Sequence, residues 1–318
     1  MSMKLVAALS IFPCILFAQS VDAAKADFGR GHFDRAKEIY ESVLKSDNSN
    51  AEAHYQIGLI ELRRDYRNED ESVDHMEKAV ELDPQNADYE YGYGAALGMK
   101  AQNSGVFKQA FLAPKIKHAF LRAVELNPKH VRARIGLAQY YVKAPSIMGG
   151  DEERGWQELD TAIVLDEYQG RTAKAGLLIS EKKFDSAEQE LKMLTSRYPD
   201  DWKSWNSLCN FYVRQNRGED GVVAAKKSVA LRPDTAESFK NLGQAQLLKG
   251  DYDSAIGSLK KALALDKTYA TAAYLLGKTY QAKGMKNEAR ESYQRALELN
   301  PWESLRKEVE KNLKDLSS

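Results

Sequence analysis

The stretch KAPSIMGGDEERG, residues 143 to 155, gathers the residue types of a functional loop: Pro145, the pair Gly149-Gly150 and the acids Asp151, Glu152 and Glu153. Paired glycines can cradle a phosphate, and clustered carboxylates can hold a divalent cation. Acidity beside the glycines opposes the first use, and the acids lack calcium-loop spacing for the second. The five histidines, His32, His54, His75, His118 and His130, show neither HExxH nor another ligand spacing, and are not expected to converge on a metal. No nucleophile elbow, phosphate-binding loop or dinucleotide fingerprint occurs. The same stretch has a plainer reading as a connection between helices. Pro145 stops one helix, Gly149-Gly150 reverses the chain, and Asp151 caps the next helix with Glu152 and Glu153 in its positive first turn.

The rest of the chain must therefore say what these residues serve. With 43% hydrophobic and 29% charged residues, 318 residues suffice for two ordinary domains or one elongated repeat array. Lys+Arg and Asp+Glu are balanced at 46 each, so no global field recruits nucleic acid or anionic lipid. Lys4, the apolar run Leu5 to Ala18 and the small residues after it have the layout of a secretory signal peptide over residues 1–23, cleaved after Ser20 or Ala23. The run falls short of the roughly 20 apolar residues that span a bilayer. Ile11-Phe12-Pro13 before Cys14 does not suit lipidation, although an uncleaved anchor stays open as an alternative. Without the leader Cys209 is the one cysteine, so no internal disulfide forms and packing alone must stabilise the chain. The expected mature protein is exported, periplasmic or secreted, and not inserted in a membrane.

A period of 34 organises the remaining chain: it separates Leu242-Gly243 from Leu276-Gly277, Gly250 from Gly284, Ala255 from Ala289, Ala262 from Ala296 and Pro199 from Pro233. Each unit holds two apolar stripes of helical period with a turn between them. Gly243 would let its partner helix approach closely, with Ala255, Leu259 and Ala262 on the facing stripe. The pattern resembles the tetratricopeptide repeat (TPR) family. It is carried by Trp205, Leu208, Tyr212, Leu231 and Pro233 in one unit, and by Leu276, Gly277, Tyr280, Gly284, Ala289, Tyr293, Ala296, Leu299 and Pro301 in the last. AVELDP (79 to 84), AVELNP (123 to 128) and AIVLDE (162 to 167) close earlier units, and GHFDRAKEIYESVL (31 to 44) is the second half of the first. Cys209 stands where the family has a small glycine and reads as a buried small residue. The resemblance implies an all-α, right-handed α-solenoid of about eight helix pairs over residues 24–301, plus a C-terminal capping helix at 302–318. That last segment carries Leu305, Val309, Leu313 and Leu316 on one stripe. It could alternatively dimerise.

The resemblance also implies that first helices line a concave groove that binds peptide segments of protein partners. The groove positions read here are Tyr55, Tyr91 and Tyr140 in the N-terminal half, and Asn206, Asn210, Arg214, Lys240, Gln244, Tyr274 and Lys278 in the C-terminal half. The tyrosines could equally pack between helices, and the cations could be a solvated face. A Lys-Asn, Asn, Lys-Arg set that some family members use to hold a terminal carboxylate is not present: Asn210 and Asn241 fit, but Asn206, Thr271 and Leu275 occupy the cation places.

Two consecutive units depart from the period. The distance from the first-helix glycine to the closing position is 24 from Gly277 to Pro301, but 34 from Gly94 to Pro128 and 31 from Gly136 to Glu167. The surplus is expected as extended turns at about 100–113 and 143–151, on one edge of the array. There Phe107 and Phe111 would meet Ile147 and Met148 in a small cluster and form a second candidate partner surface. The AP-x-x-x-GG form of the second insert resembles one in a group of exported bacterial TPR proteins, which implies a compartment and no activity. The expectation is a non-catalytic scaffold for a protein partner in a bacterial envelope assembly or secretion complex, without cofactor, metal or nucleic acid. Self-assembly through the terminal helix or the open first repeat is the alternative. An enzyme using groove carboxylates ranks last.

Overall fold

The computed structural model describes residues 11–63, 68–299 and 301–316, and among these it contains helices and no strand. In chain order the helices are α1 (Ile11–Arg30) and α2 (Phe33–Ser46), α3 (Ala51–Glu61) and α4 (Glu69–Leu82), α5 (Ala87–Gln102) and α6 (Val106–Leu126), α7 (Val131–Lys143) and α8 (Glu152–Leu165), α9 (Glu167–Ser180) and α10 (Phe184–Arg197), α11 (Trp202–Arg214) and α12 (Gly218–Leu231), α13 (Ala236–Lys249) and α14 (Tyr252–Leu265), α15 (Ala270–Ala282) and α16 (Lys286–Glu298), and α17 (Glu303–Asp315). Of the segment expected to be a signal peptide, residues 1–10 lie outside the described residues, and the remainder is the first part of α1. The chain forms two compact units, Met1–Ala173 and Lys174–Ser318, and the division falls within α9.

Local chemistry sets where these helices begin and turn. Four first helices open on a side-chain cap. Asn50 accepts from Ala53 N at 2.9 Å, Asn86 from Asp88 N at 3.0 Å, His130 Nδ1 from Ala133 N at 3.1 Å, and Asp201 from Ser204 N at 3.0 Å. Each such cap is worth about 1 kcal/mol. Regular pairs reverse through one residue with positive φ: Gly31, Lys182, Asn216, Gly250 or Gly284. The last four keep the 34-residue period, which locates the reversal in every regular repeat. A connection of two or three residues leaves no choice but an antiparallel pair.

Within each unit a helix packs on its neighbours in sequence, and first helices also touch first helices of the next repeat, as α3 with α5, α5 with α7, α11 with α13, and α13 with α15. That neighbour-only pattern is the solenoid arrangement. The close approach at Gly277 is steric: a Cβ there would lie 2.5 Å from the Tyr293 ring, so only glycine lets α16 pack against α15. At the end of the second unit Leu305, Val309 and Leu316 of the α17 region are buried in the cluster of Leu276, Tyr280 and Tyr293. The stripe packs inside the chain.

The inserts are built differently from one another. The segment 100–113, expected as an extended turn, is helical on both sides of Asn103–Gly105: α5 runs to Gln102 and α6 starts at Val106. The surplus has become a second helix of 21 residues, against 14 in α12 and α14. Helix-tolerant residues fill Val106 to Ala113, and Pro114 follows two turns in, where it removes one N–H but does not end the helix. The second surplus is a real loop, with a short 3-10 turn at Ser146–Met148. Gly149 takes φ +83°, and Gly150 sits so close to the chain before it that a Cβ would lie 1.8 Å from the Ala144 carbonyl oxygen. Asp151 then caps α8, accepting from Arg154 N at 3.1 Å.

Candidate functional site

The first helices of the second unit carry a polar line across neighbouring repeats. Lys240 on α13 donates from Nζ to Asn241 Oδ1, and Asn241 Nδ2 donates to Asn206 Oδ1 on α11 at 2.7 Å. Asn241 is fully buried and Asn206 nearly so, while Lys240 is partly buried. Burial pushes the Lys240 ammonium below its ordinary pKa; the Glu237 charge on the same helix partly offsets this, and the Arg214 charge adds to it. No carboxylate among the described residues is within ion-pair distance of it. A part-buried cation whose one hydrogen bond among the described residues goes to an amide can still pair with an incoming carboxylate or carbonyl. Asn210 and Gln244 lie partly exposed on the same helices, and Arg214 is exposed.

Behind that line, Cys209 is completely buried, and its sulfur lies 3.8 Å from the Asn241 carbonyl oxygen. Burial pushes its thiol up to about 12, so the thiol stays protonated and inert. Glu188 anchors the unit's edge. The Arg217 guanidinium beside it, at 2.5 Å, holds its carboxyl down at about 2, with help from Lys192 and the Tyr212 hydroxyl.

The aromatic positions are packed rather than displayed. Tyr55 is buried against Tyr89 with ring centroids 4.9 Å apart, and Tyr140 is buried with its hydroxyl donating to the Met148 carbonyl. Tyr274 is buried too, and Asn312 Nδ2 of α17 donates to its hydroxyl at 3.2 Å. Tyr91 is partly exposed, with the Arg132 guanidinium 5.0 Å from its ring centroid. Lys278 is exposed, 5.7 Å over the Tyr274 ring.

On the inserted edge the expected cluster does not form. Phe107 and Ile147 are each 94% exposed and Phe111 is 70% exposed, whereas Met148 packs into the core beside Tyr140. The reason is helical phase: Gln109, Ala113 and Ile116 turn one face of α6 inward, which carries Phe107 and Phe111 to the outer face. Among the histidines, His54 and His75 meet, Nδ1 to Nδ1 at 2.9 Å, a pairing their spacing did not reveal. Among the described residues no group of three or more His, Cys, Asp or Glu is placed to hold a metal ion, and no helix is long and apolar enough to cross a membrane.

Family models described as tetratricopeptide repeat match residues 21–97 and 270–302, and one described as TPR repeat matches residues 247–284. The chain is a tetratricopeptide-repeat protein. A TPR assignment fits both the 34-residue period and the helix pairs. The Arabidopsis thaliana protein CTR9 homolog is 23% identical over 247 residues, covering 74% of this chain and 21% of its own length. The chain thus spans about a fifth of that relative. Yeast Tom70 superposes with a TM-score of 0.67 at 15% identity, over 90% of this chain and 58% of Tom70. The Cut9–Hcn1 hetero-tetramer structure gives 0.51 at 17% identity, over 94% of this chain and 55% of that one. These identities establish the fold and nothing finer.

Asn241 and the partners of Lys240 are the least legible part of the polar line, because an asparagine in a first helix looks like any surface residue. A usable signal lies in the register: Asn206 and Asn241 are 35 apart, close to the repeat, and so fall on adjacent helices. A second signal lies in the first unit. From residue 91 to 124 there is no aspartate or glutamate at all.

Proposed function

We propose that this protein is a non-catalytic scaffold whose second unit binds an extended, acidic segment of a protein partner along the first-helix face of α11 and α13. The observation that carries the reading is the Lys240–Asn241–Asn206 chain: a part-buried cation hydrogen-bonded to a buried amide pair that joins α13 to α11, with no carboxylate among the described residues in ion-pair contact. A peptide carboxylate would pair with Lys240, and Arg214 at the rim would extend the attraction. The Cut9–Hcn1 structure, itself a complex, supports this class of use for the fold. The residues of Lys4 to Ala23 support export, and with it a partner in a bacterial envelope assembly or secretion complex. A photo-crosslinking residue at Gln244 should capture an acidic segment in cells, and Lys240→Glu should abolish capture. Undiminished capture by Lys240→Glu would reject the site. Intact mass of the exported chain should begin at Val21 or Ala24, and a chain that retains Met1 in the cytoplasm would reject the setting.

A further inference from the structure

In the first unit a cavity of about 440 Å³ opens between α5, α6 and α7, inside the range of ~300–1,000 Å³ common for small-molecule sites. No acidic residue lines it. From α5 come Tyr91, Ala95, Gly98 and Gln102, and from α7 come Arg132, Ile135, Gln139 and Lys143. Steps of three and four keep each set on one helix face. Each set advances eleven residues, from 91 to 102 and from 132 to 143, which is about 16 Å of helix. The two helices run side by side in the same direction, so the cavity is a trough with Arg132 at one end and Lys143 at the other.

The middle of the trough is apolar and made of small groups. A Cβ added at Gly98 would meet nothing within 4 Å, so the space beside it is open. Ile116 and Phe120 of the lengthened α6 form the floor, with Phe120 wedged so tightly that a Cβ at Gly136 would lie 2.7 Å from it. The ends differ in charge. Arg132 is already held by Asp88 at 3.1 Å and stacked on Tyr91. Lys143 is exposed, and no carboxylate among the described residues pairs with it. The side-chain amides of Gln102 and Gln139 likewise make no hydrogen bond among the described residues.

We propose that this trough binds a single-chain amphiphile with an anionic head, a fatty-acid carboxylate, whose acyl chain lies along Ala95, Gly98 and Ile116 and whose head meets Lys143. The apolar middle of Ala95, Gly98, Ile116 and Phe120 rewards methylenes and penalises a peptide backbone, which needs hydrogen bonds along its whole length. The absence of acids removes the repulsion that would exclude a carboxylate. The free cation, flanked by two amides, supplies charge-assisted hydrogen bonds at one end only, which fixes the direction of the chain. This site is independent of the polar line in the second unit and does not rest on the scaffold reading.

The full-length protein should bind dodecanoate saturably at one site, below the critical micelle concentration, by titration calorimetry. Gly98→Leu fills the open space and replaces a helical glycine with a better helix former, so it should abolish binding while holding or raising the thermal midpoint. Lys143→Gln should weaken dodecanoate roughly tenfold or more and leave dodecanol unchanged. In the wild type, a spin-labelled fatty acid should broaden the methyl signals of Met99 and Met148, which line the trough, and not that of Met285 in the second unit. This last measurement decides the matter even if a variant fails to fold. No saturable binding, binding that survives Gly98→Leu, or equal loss of acid and alcohol in Lys143→Gln would each overturn the proposal. Displacement of dodecanoate by an apolar peptide that binds more tightly would also overturn it, and would give the trough to a protein partner.

Discussion

The repeats α5–α8 of the first unit and α11–α16 of the second share one plan but spend their first-helix faces differently. In the second unit the close approaches at Gly243 and Gly277 are filled. Leu259 would meet a Cβ at Gly243 at 2.6 Å, and Tyr293 one at Gly277 at 2.5 Å, so these pairs interlock. In the first unit Phe120 of the lengthened α6 reaches two glycines at once, Gly94 and Gly136, and the space beyond it beside Gly98 stays open. The lengthened second helix thus floors an open space on the first-helix face. Insertion in a solenoid acts through the helices it lengthens as much as through the loop it adds.

The sharpest way to break that comparison is glycine substitution. Gly277→Ala should cost about 1–3 kcal/mol by overpacking against Tyr293, whereas Gly98→Ala should gain up to about 1 kcal/mol of helix propensity; urea denaturation of both variants measures the contrast. Equal effects would mean that the first unit is packed as tightly as the second. Next in size, Gly150→Ala should cost about 1–3 kcal/mol through the Ala144 carbonyl and loosen the loop locally, seen as faster amide exchange at Ser146–Asp151 with the second unit unchanged.

The reversal turns sharpen the comparison from the other side. Lys182 adopts φ 58° where the regular repeats at 250 and 284 have glycine, and a lysine there carries strain of about 1–2 kcal/mol. Lys182→Gly should therefore stabilise the second unit by about 1 kcal/mol, read from its unfolding midpoint, while Asn216→Gly should do less because asparagine tolerates that conformation.

The smallest expected difference is in pH response. Burial, with the His54 charge as a further cause at His75, lowers the pKa of both His54 and His75 below the ordinary 6.5. The unfolded chain then takes up protons first as pH falls through 6.5, so the first unit loses stability from that point downward. Glu188 is lowered from 4.5 to about 2, mainly by Arg217, so its contribution is full above 4.5 and lost only as pH falls towards 2. It is an edge pair worth under about 1 kcal/mol after screening. Amide exchange at pH 7 and pH 5.5 should show softening around α3 and α4 alone, and His75→Gln should flatten it. Softening of the second unit over the same range would contradict the assignment.

Much of the fold was readable because its determinants are local. Asn50, Asn86, Asp151 and Asp201 cap helices within three residues of themselves, and Gly250 and Gly284 reverse the chain at their own φ. The candidate site was only half readable. Tyr55, Tyr140 and Tyr274 sit at first-helix positions as their spacing required, yet they are buried by neighbours that the spacing does not name. Phe107 and Phe111 miss the contact expected of them, because helical phase prevents it once residues 106 to 113 fold as helix instead of turn.

The sequence by itself determined the repeat period, the number and direction of the helices, and the glycines at which helices touch, because each depends on periodicity, caps and the missing Cβ. Tertiary structure alone decided which face residues are free. Whether Lys240 is desolvated, whether Lys143 lacks a carboxylate, and whether the space beside Gly98 is empty all depend on side chains from other helices. Burial and charge pairing are sums over neighbours in space, and one chain's spacing fixes only its own half of each contact.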